Sequence, residues 1–163
     1  MSFSAVGTVI KPTGAATTFT LVPGGVGDFI VIGVLAGFPS SSTTAWATAL
    51  SSAGGDVTWS VLVAHTAFSV QAGVETVFIG TVVTASSHTV TLTFNTGTPA
   101  VRVAGQEFSN TAGTSAVTLD ASGTVDTASS GHYAPVTPTR ANDLYWGYCW
   151  DSGTVANGST SGY

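Results

Sequence analysis

Regular alternation of apolar and polar residues is the feature of this chain that most limits its fold. In the stretch 89–94, Thr-Val-Thr-Leu-Thr-Phe, every second side chain is apolar and each intervening one is threonine. Side chains on a β-strand point alternately to the two faces of a sheet, so this pattern predicts a strand with one buried and one exposed face. Shorter stretches at 18–21 and 117–120 repeat it. Their Val and Thr residues suit a pleated sheet better than a helix.

Stretches of this kind, separated by Gly- and Pro-rich turns, predict an all-β fold. We predict strands over residues 5–10, 17–22, 28–36, 58–65, 75–83, 88–95, 100–108, 116–120 and 143–150. A short helix or a long loop is expected at 44–51, where Trp46 and Leu50 stand four residues apart. Short strands without crossover helices predict an antiparallel two-sheet β-sandwich, jelly-roll-like in topology, with an immunoglobulin-like sandwich as the alternative. We expect a single domain over 1–163, in which 152–163 forms a Gly/Ser-rich C-terminal segment.

Two of these strands support more specific predictions. The stretch 29–32, Phe-Ile-Val-Ile, is apolar at every position, which predicts a central strand covered on both faces. In the stretch 101–108, Val101 and Val103 share one face of the strand, whereas Phe108 falls on the other. A β-bulge at Gly105 would return Phe108 to the buried face, so we predict a bulge at that glycine.

Charged residues are scarce in this chain. They make up 7% of it, against about 25% in an ordinary soluble domain, and the basic ones are Lys11, Arg102 and Arg140. The net charge of −5 argues against a nucleic-acid partner and against a basic patch for a membrane surface. The longest apolar run, 29–38, is too short for a membrane helix, and the N-terminus has no secretory-signal pattern. With its single Cys149, the chain is expected to be made in a reducing cytoplasm.

The sequence contains no pattern typical of a catalytic or metal site. Glu75 and Glu107 lie on or near strands, and we interpret them as solubilising charges rather than a glycosidase pair. The segment 120–126 lacks the ligand density of a calcium loop and is interpreted as a turn. The histidines have none of the spacings of paired metal ligands: His65, His88 and His132. We therefore predict a protein that is not an enzyme, with no catalytic residue, no cofactor and no metal.

Aromatic residues are concentrated in the last predicted strand. Trp146, Tyr148 and Trp150 fall on one face of it. An exposed row of aromatic side chains can stack on sugar rings or anchor a partner subunit, so these three are the candidate contacts for a partner or a glycan. The alternative is that the row is the buried face of a strand. Burial is the favoured interpretation for Trp146. Trp150 lies at the end of the predicted strand, where side chains are often exposed, so both interpretations stay open for it.

The order of several short motifs resembles that of β-sandwich domains in structural proteins of tailed bacteriophages, particularly those that infect actinobacteria. The motifs are Gly-Asp-Phe-Ile-Val-Ile at 27–32, Val-Thr-Trp at 57–59, Glu-Phe-Ser at 107–109 and Asn-Asp-Leu at 142–144. The resemblance extends from about residue 17 onward, and it implies a capsid-decoration or minor tail protein without catalytic residues. The ending departs from the pattern, since 155–163 is Gly/Ser-rich where similar domains continue with another strand.

These observations lead to one functional expectation and one alternative. We expect a non-enzymatic structural protein of a phage virion, which assembles with copies of itself or with the major shell or tail protein. Neutral Thr, Ser and Ala surfaces lose little hydration energy when a partner covers them, unlike Lys or Glu. The alternative is a carbohydrate-binding or host-adhesion module with a host glycan as its partner. We expect neither nucleic acid nor a membrane as a partner.

Overall fold

The computed structural model describes most of the first 123 residues and a few later ones. These are residues 3–12, 16–37, 44–68, 73–110 and 117–123, together with 136, 137, 139, 144, 146 and 147. They contain eight strands: β1 (Phe3–Ile10), β2 (Thr18–Leu21), β3 (Phe29–Ala36), β4 (Ala47–Ser52), β5 (Val57–Phe68), β6 (Gly73–Val82), β7 (His88–Phe94) and β8 (Val101–Asn110). A short 3-10 helix, Ala53–Gly55, joins β4 to β5.

The strands form two antiparallel sheets, which confirms the predicted β-sandwich. The first sheet has the order β1-β8-β3-β6-β5, and the second has the order β2-β7-β4. An eight-strand jelly roll places strands 1-8-3-6 in one sheet and 2-7-4-5 in the other. The observed order follows this scheme except for β5, which pairs with β6 instead of with β4. The immunoglobulin alternative would put the first two strands side by side, whereas β1 and β2 lie in different sheets.

The main core lies between the two sheets. It is built from the alternating apolar residues that the sequence pattern singles out, and β3 contributes Ile30, Ile32 and Val34 to it. From the facing sheet come Phe19 and Leu21 of β2, Leu50 of β4, and Val90 and Leu92 of β7. The threonines that alternate with these residues on β2 and β7 are exposed.

A second apolar cluster covers the outer face of the five-stranded sheet. Its buried members are Phe29, Val31 and Phe108, and the half-buried Val117 and Trp146 pack against it. The rings of Phe29 and Phe108 are stacked with their centroids 5.4 Å apart. All eight residues of β3 are buried, which confirms the prediction that the 29–32 stretch belongs to a central strand covered on both faces.

The bulge predicted at Gly105 was wrong. The pairing of β8 with β3 runs from Val101 to Phe108 without interruption. Phe108 is buried because the outer face has its own apolar cluster, so no bulge is needed to bury it. The irregular register lies instead in β1, between Val6 and Ile10, where Gly7 has a φ of 65°. A left-handed glycine of this kind is a common component of a β-bulge.

Three further segments differ from the predictions. Residues 47–51 of the expected helix or loop belong to β4, in which a bulge between Ala47 and Ala49 changes which side chains face inward. Residues 117–120 were predicted as a strand, but they have no regular secondary structure. Of the predicted strand 143–150, residues 144, 146 and 147 are described and are not in a strand, and the others lie outside the described residues.

Candidate functional site

A cleft lies between β4 and β5, the edge strands that border the open side of the sandwich. In a complete jelly roll, strand 5 would pair with β4 here, but in this chain β5 belongs to the other sheet. The cleft has a volume of about 220 Å³. Its lining residues come from β4 and the segment before it, from β5, and from β6: Trp46, Ala47, Thr48, Val61, Ala64, His65 and Thr76.

An aromatic pair forms one part of the cleft wall. The rings of Trp46 and His65 are stacked, with centroids 4.3 Å apart and planes inclined by 15°. Asn95 fixes the backbone at Trp46, since its Oδ1 accepts from the Trp46 N–H at 2.8 Å and its N–H donates to the Trp46 carbonyl at 3.2 Å. Its side-chain amide also donates to the carbonyl of Thr44 at 3.0 Å. The aromatic wall is therefore held in place by the turn that follows β7.

One residue of the lining is a buried threonine. Thr76 of β6 is 2% exposed, and its Oγ1 has no hydrogen-bond partner among the described residues. The other hydroxyl in the lining, that of Thr48, donates to the carbonyl of Thr93 at 3.2 Å. Burying a hydroxyl without a partner costs about 1–3 kcal/mol, so Thr76 is an unfavourable choice for a purely structural position.

Among the described residues, the lining has no carboxylate, lysine or arginine. General acid–base chemistry in this cleft would therefore depend on His65 alone, which stacks on Trp46 and is exposed. The arrangement is suited to binding a neutral molecule through an aromatic wall and hydroxyl groups.

Glu107 forms a separate polar cluster with the loop between β2 and β3. Glu107 is 5% exposed, and its carboxylate accepts from the Gly24 N–H, at 2.9 Å to Oε1 and 3.1 Å to Oε2. Burial raises the pKa of Glu107 above its ordinary value of 4.5, and the neighbouring Asp28 carboxyl raises it further, while N–H donation from Gly24 and Gly25 acts in the opposite direction. The cluster fastens this loop to β8.

The carboxylates considered from the sequence do not form a catalytic pair. Leu35 of β3 is opposite Glu75 of β6, and Ile30 of β3 is opposite Glu107 of β8. Because 30 and 35 have opposite parity, Glu75 and Glu107 lie on opposite faces of the sheet. Both are buried, so they are not the exposed solubilising charges that we predicted.

The other predicted site residues have structural contacts or lie outside the described part of the chain. Trp146 is half-buried against the outer cluster, and Asp120 accepts hydrogen bonds from the backbone and hydroxyl of Thr139. The buried His88 has its Nδ1 2.9 Å from the carbonyl of Ser86. Tyr148 and Trp150, the remaining candidate contacts, lie outside the described residues, as do His132 and Cys149.

The charged residues of the two sheets lie on interior strands and not on edge strands. Three residues of the eight strands are Asp, Glu, Lys or Arg, namely Glu75, Arg102 and Glu107. All three are on β6 and β8, which have a neighbour on each side. The four edge strands β1, β5, β2 and β4 have no such residue.

Among the described residues, no helix is long and apolar enough to cross a membrane. Within the same part of the chain, no three His, Cys, Asp or Glu residues are grouped so that they could hold a metal ion.

Comparisons of the sequence with protein-family models and curated proteins, and a comparison with solved structures, find no match. The resemblance to phage structural proteins therefore stays a prediction from the motifs.

Proposed function

We propose that this chain is a non-enzymatic structural subunit that assembles with copies of itself through its uncharged sheet edges. Following the resemblance of its motifs, we place this assembly in the virion of a tailed phage, as a capsid-decoration or minor tail protein that also contacts other virion proteins. The observation that supports assembly is the absence of Asp, Glu, Lys and Arg from the four edge strands.

An edge strand offers unpaired backbone N–H and C=O groups to any other strand. Soluble proteins commonly prevent such pairing with charged side chains on the edge, above all lysine, or with bulges. Here β1, β4 and β5 have irregular registers, but none of the four edges has a charged residue. A strand of a second copy could therefore approach without bringing charges out of water.

Exposed valines on both edges of the larger sheet add an apolar contribution. Val9 of β1 is 63% exposed and Val61 of β5 is 48% exposed. Covering apolar surface is favourable by roughly 25 cal/mol per Å², so contact at these positions would stabilise an assembly. The surrounding Thr, Ser and Ala residues would lose little when covered.

Three paired residues across the smaller sheet allow a matched test of whether the edges mediate assembly. Thr18 of β2 and Ser51 of β4 each pair with Thr91 of the central strand β7, and all three side chains are exposed. Thr18→Lys and Ser51→Lys place a lysine on an edge, while Thr91→Lys places the same charge on the same face without altering an edge. Thr8→Lys and Ser60→Lys test the exposed positions of β1 and β5 in the other sheet.

Sedimentation velocity from micromolar to millimolar concentration is the readout. We expect the wild-type chain and Thr91→Lys to form oligomers, and at least one edge variant to remain monomeric with an unchanged circular dichroism spectrum. A wild-type chain that stays monomeric over the whole range would overturn self-assembly. Oligomers disrupted by Thr91→Lys, but by none of the edge variants, would overturn the role of the edges.

A further inference from the structure

We propose that the cleft between β4 and β5 binds a single neutral sugar residue, either free or at the end of a glycan chain. This site differs from the aromatic row considered in the sequence, and the two share no residue. The inference is independent of self-assembly, because the lining residues form a cleft within one chain.

The composition of the lining defines the class of ligand. Trp46 and His65 supply an aromatic wall, and Ala47, Ala64 and Val61 supply small apolar contacts. A pyranose ring has an apolar face of C–H groups that packs on aromatic side chains and a rim of hydroxyls that need hydrogen-bond partners. Because no charged side chain of the described part of the chain lines the cleft, a phosphorylated or carboxylated ligand would lose its hydration without gaining an ionic partner there.

Thr76 is the observation that points to a bound molecule. Its Oγ1 is buried and has no partner within the described residues, and the residue belongs to the lining of the cleft. A threonine hydroxyl both donates and accepts, so it can pair with a sugar hydroxyl of either orientation. Valine has nearly the same shape and is favoured on strands, which means that packing alone does not require a hydroxyl at this position.

The size of the cleft limits the ligand to about one ring. Its volume of about 220 Å³ is below the roughly 300–1,000 Å³ typical of pockets for drug-sized molecules. A molecule with so few atoms and an open binding site is expected to bind with a Kd on the order of 1 mM. Such weak binding becomes useful when many copies act together, since avidity multiplies it.

The test is a titration followed by ¹H–¹⁵N NMR. The ligands are the methyl glycosides of glucose, galactose, mannose and N-acetylglucosamine, each raised to about 50 mM, well above the expected Kd. Glucuronic acid serves as the charged control, and glycerol controls for nonspecific effects of hydroxyl groups. We expect at least one glycoside to shift the amide signals of Trp46, His65 and Thr76 in a saturable manner, and both controls to leave them unchanged.

Two cleft variants and one control variant connect any binding to the cleft. Thr76→Val keeps the shape of the side chain and removes the hydroxyl, so affinity should fall about tenfold while the fold is retained. Thr89→Val makes the same exchange at an exposed position of β7 outside the lining and should bind like the wild type. His65→Ala removes one ring of the wall and should also weaken binding.

Several outcomes would overturn the inference. These are no saturable shift with any glycoside, shifts that glycerol reproduces, tighter binding of glucuronic acid than of the neutral sugars, or unchanged affinity in Thr76→Val. Sedimentation of the same samples distinguishes this result from the assembly proposal. A chain that assembles without binding sugars contradicts only the cleft, and a monomer that binds them contradicts only the assembly.

Discussion

The backbone N–H of Gly24 donates to both carboxylate oxygens of Glu107, at 2.9 and 3.1 Å, although the two residues are 83 positions apart in the sequence. The contact fastens the loop between β2 and β3 to β8. The close fit leaves no space for a side chain at residue 24, where a Cβ would lie 2.5 Å from Val6 Cγ1. One buried carboxyl thus holds β8 and the loop before β3 together, and β1 lies against the same loop.

Glu107→Gln is expected to make the chain more stable than the wild type at neutral pH. Burial and the Asp28 carboxyl raise the pKa of Glu107 above 4.5. Glu107 therefore binds a proton more readily in the folded state than in the unfolded state. The stability that this proton contributes is complete below about pH 4.5 and is lost as the pH rises through the raised pKa. Glutamine is neutral at every pH, and its amide can still accept from Gly24 and donate to Asp28.

Urea unfolding at several pH values between about 4 and 7 measures this effect. The free energy of unfolding of Glu107→Gln minus that of the wild type should increase with pH and reach about 1 kcal/mol or less at neutrality. The other titratable groups are the same in both proteins, so their contributions to the pH dependence largely cancel in this difference. A difference that decreases with pH would show that the N–H donors stabilise the carboxylate more than burial disfavours it.

Gly105→Ala should destabilise the sandwich by about 1–3 kcal/mol, the usual cost of forcing an extra group into a packed interior. A Cβ at this position would lie 2.6 Å from the carbonyl oxygen of Val31 and 2.7 Å from Ile32 Cγ1. Thermal and urea unfolding measure this loss of stability. Ala104→Ser is the matched control, since it also adds one heavy atom, but at a half-buried neighbouring position. Equal effects of the two substitutions would contradict the steric account.

Gly105 also shows how far the sequence pattern could be interpreted. A glycine inside a strand indicates either a bulge or a close approach of another backbone, and the alternation of Val101, Val103 and Phe108 favoured the bulge. The structure has the close approach. The prediction assumed that only one face of the strand is covered. That assumption was wrong, because Phe108 belongs to the outer cluster. A strand pattern does not show whether further chain packs on the outside of a sheet.

The hydrogen bond from Trp59 Nε1 to Ser52 Oγ, at 2.8 Å, should contribute about 1 kcal/mol to stability. It connects β4 with β5 across the open side of the sandwich, where these two strands belong to different sheets. A double-mutant cycle of Trp59→Phe and Ser52→Ala isolates the contribution. We expect a coupling energy of about 0.5–1.5 kcal/mol. Additive losses would show that the bond contributes nothing to holding the two strands together.

The missed strand β4 has a clear physical explanation. A bulge between Ala47 and Ala49 breaks the period of two, so that the buried Ala47 and Leu50 are three residues apart. Spacings of three and four residues are the mark of a helix face, and this stretch therefore looked helical. Its Ala and Ser residues gave no opposing preference for a strand.

The candidate cleft could not be predicted for a related reason. Trp46, His65 and Thr76 come from three parts of the chain. They line one cleft because β5 pairs with β6 and not with β4. Alternation indicates which face of a strand is buried, but it does not indicate which sheet the strand joins. In contrast, β3 was predicted as a central strand, because its side chains are apolar on both faces.

Electron cryo-microscopy of the assembled protein would show whether the edges without charge are covered by neighbouring copies. We expect particles in which a β-sheet continues from one subunit into the next, with an edge strand of one copy hydrogen-bonded to an edge strand of its neighbour. Particles of a single chain at every concentration, or assemblies in which β1, β2, β4 and β5 all face solvent, would contradict this expectation.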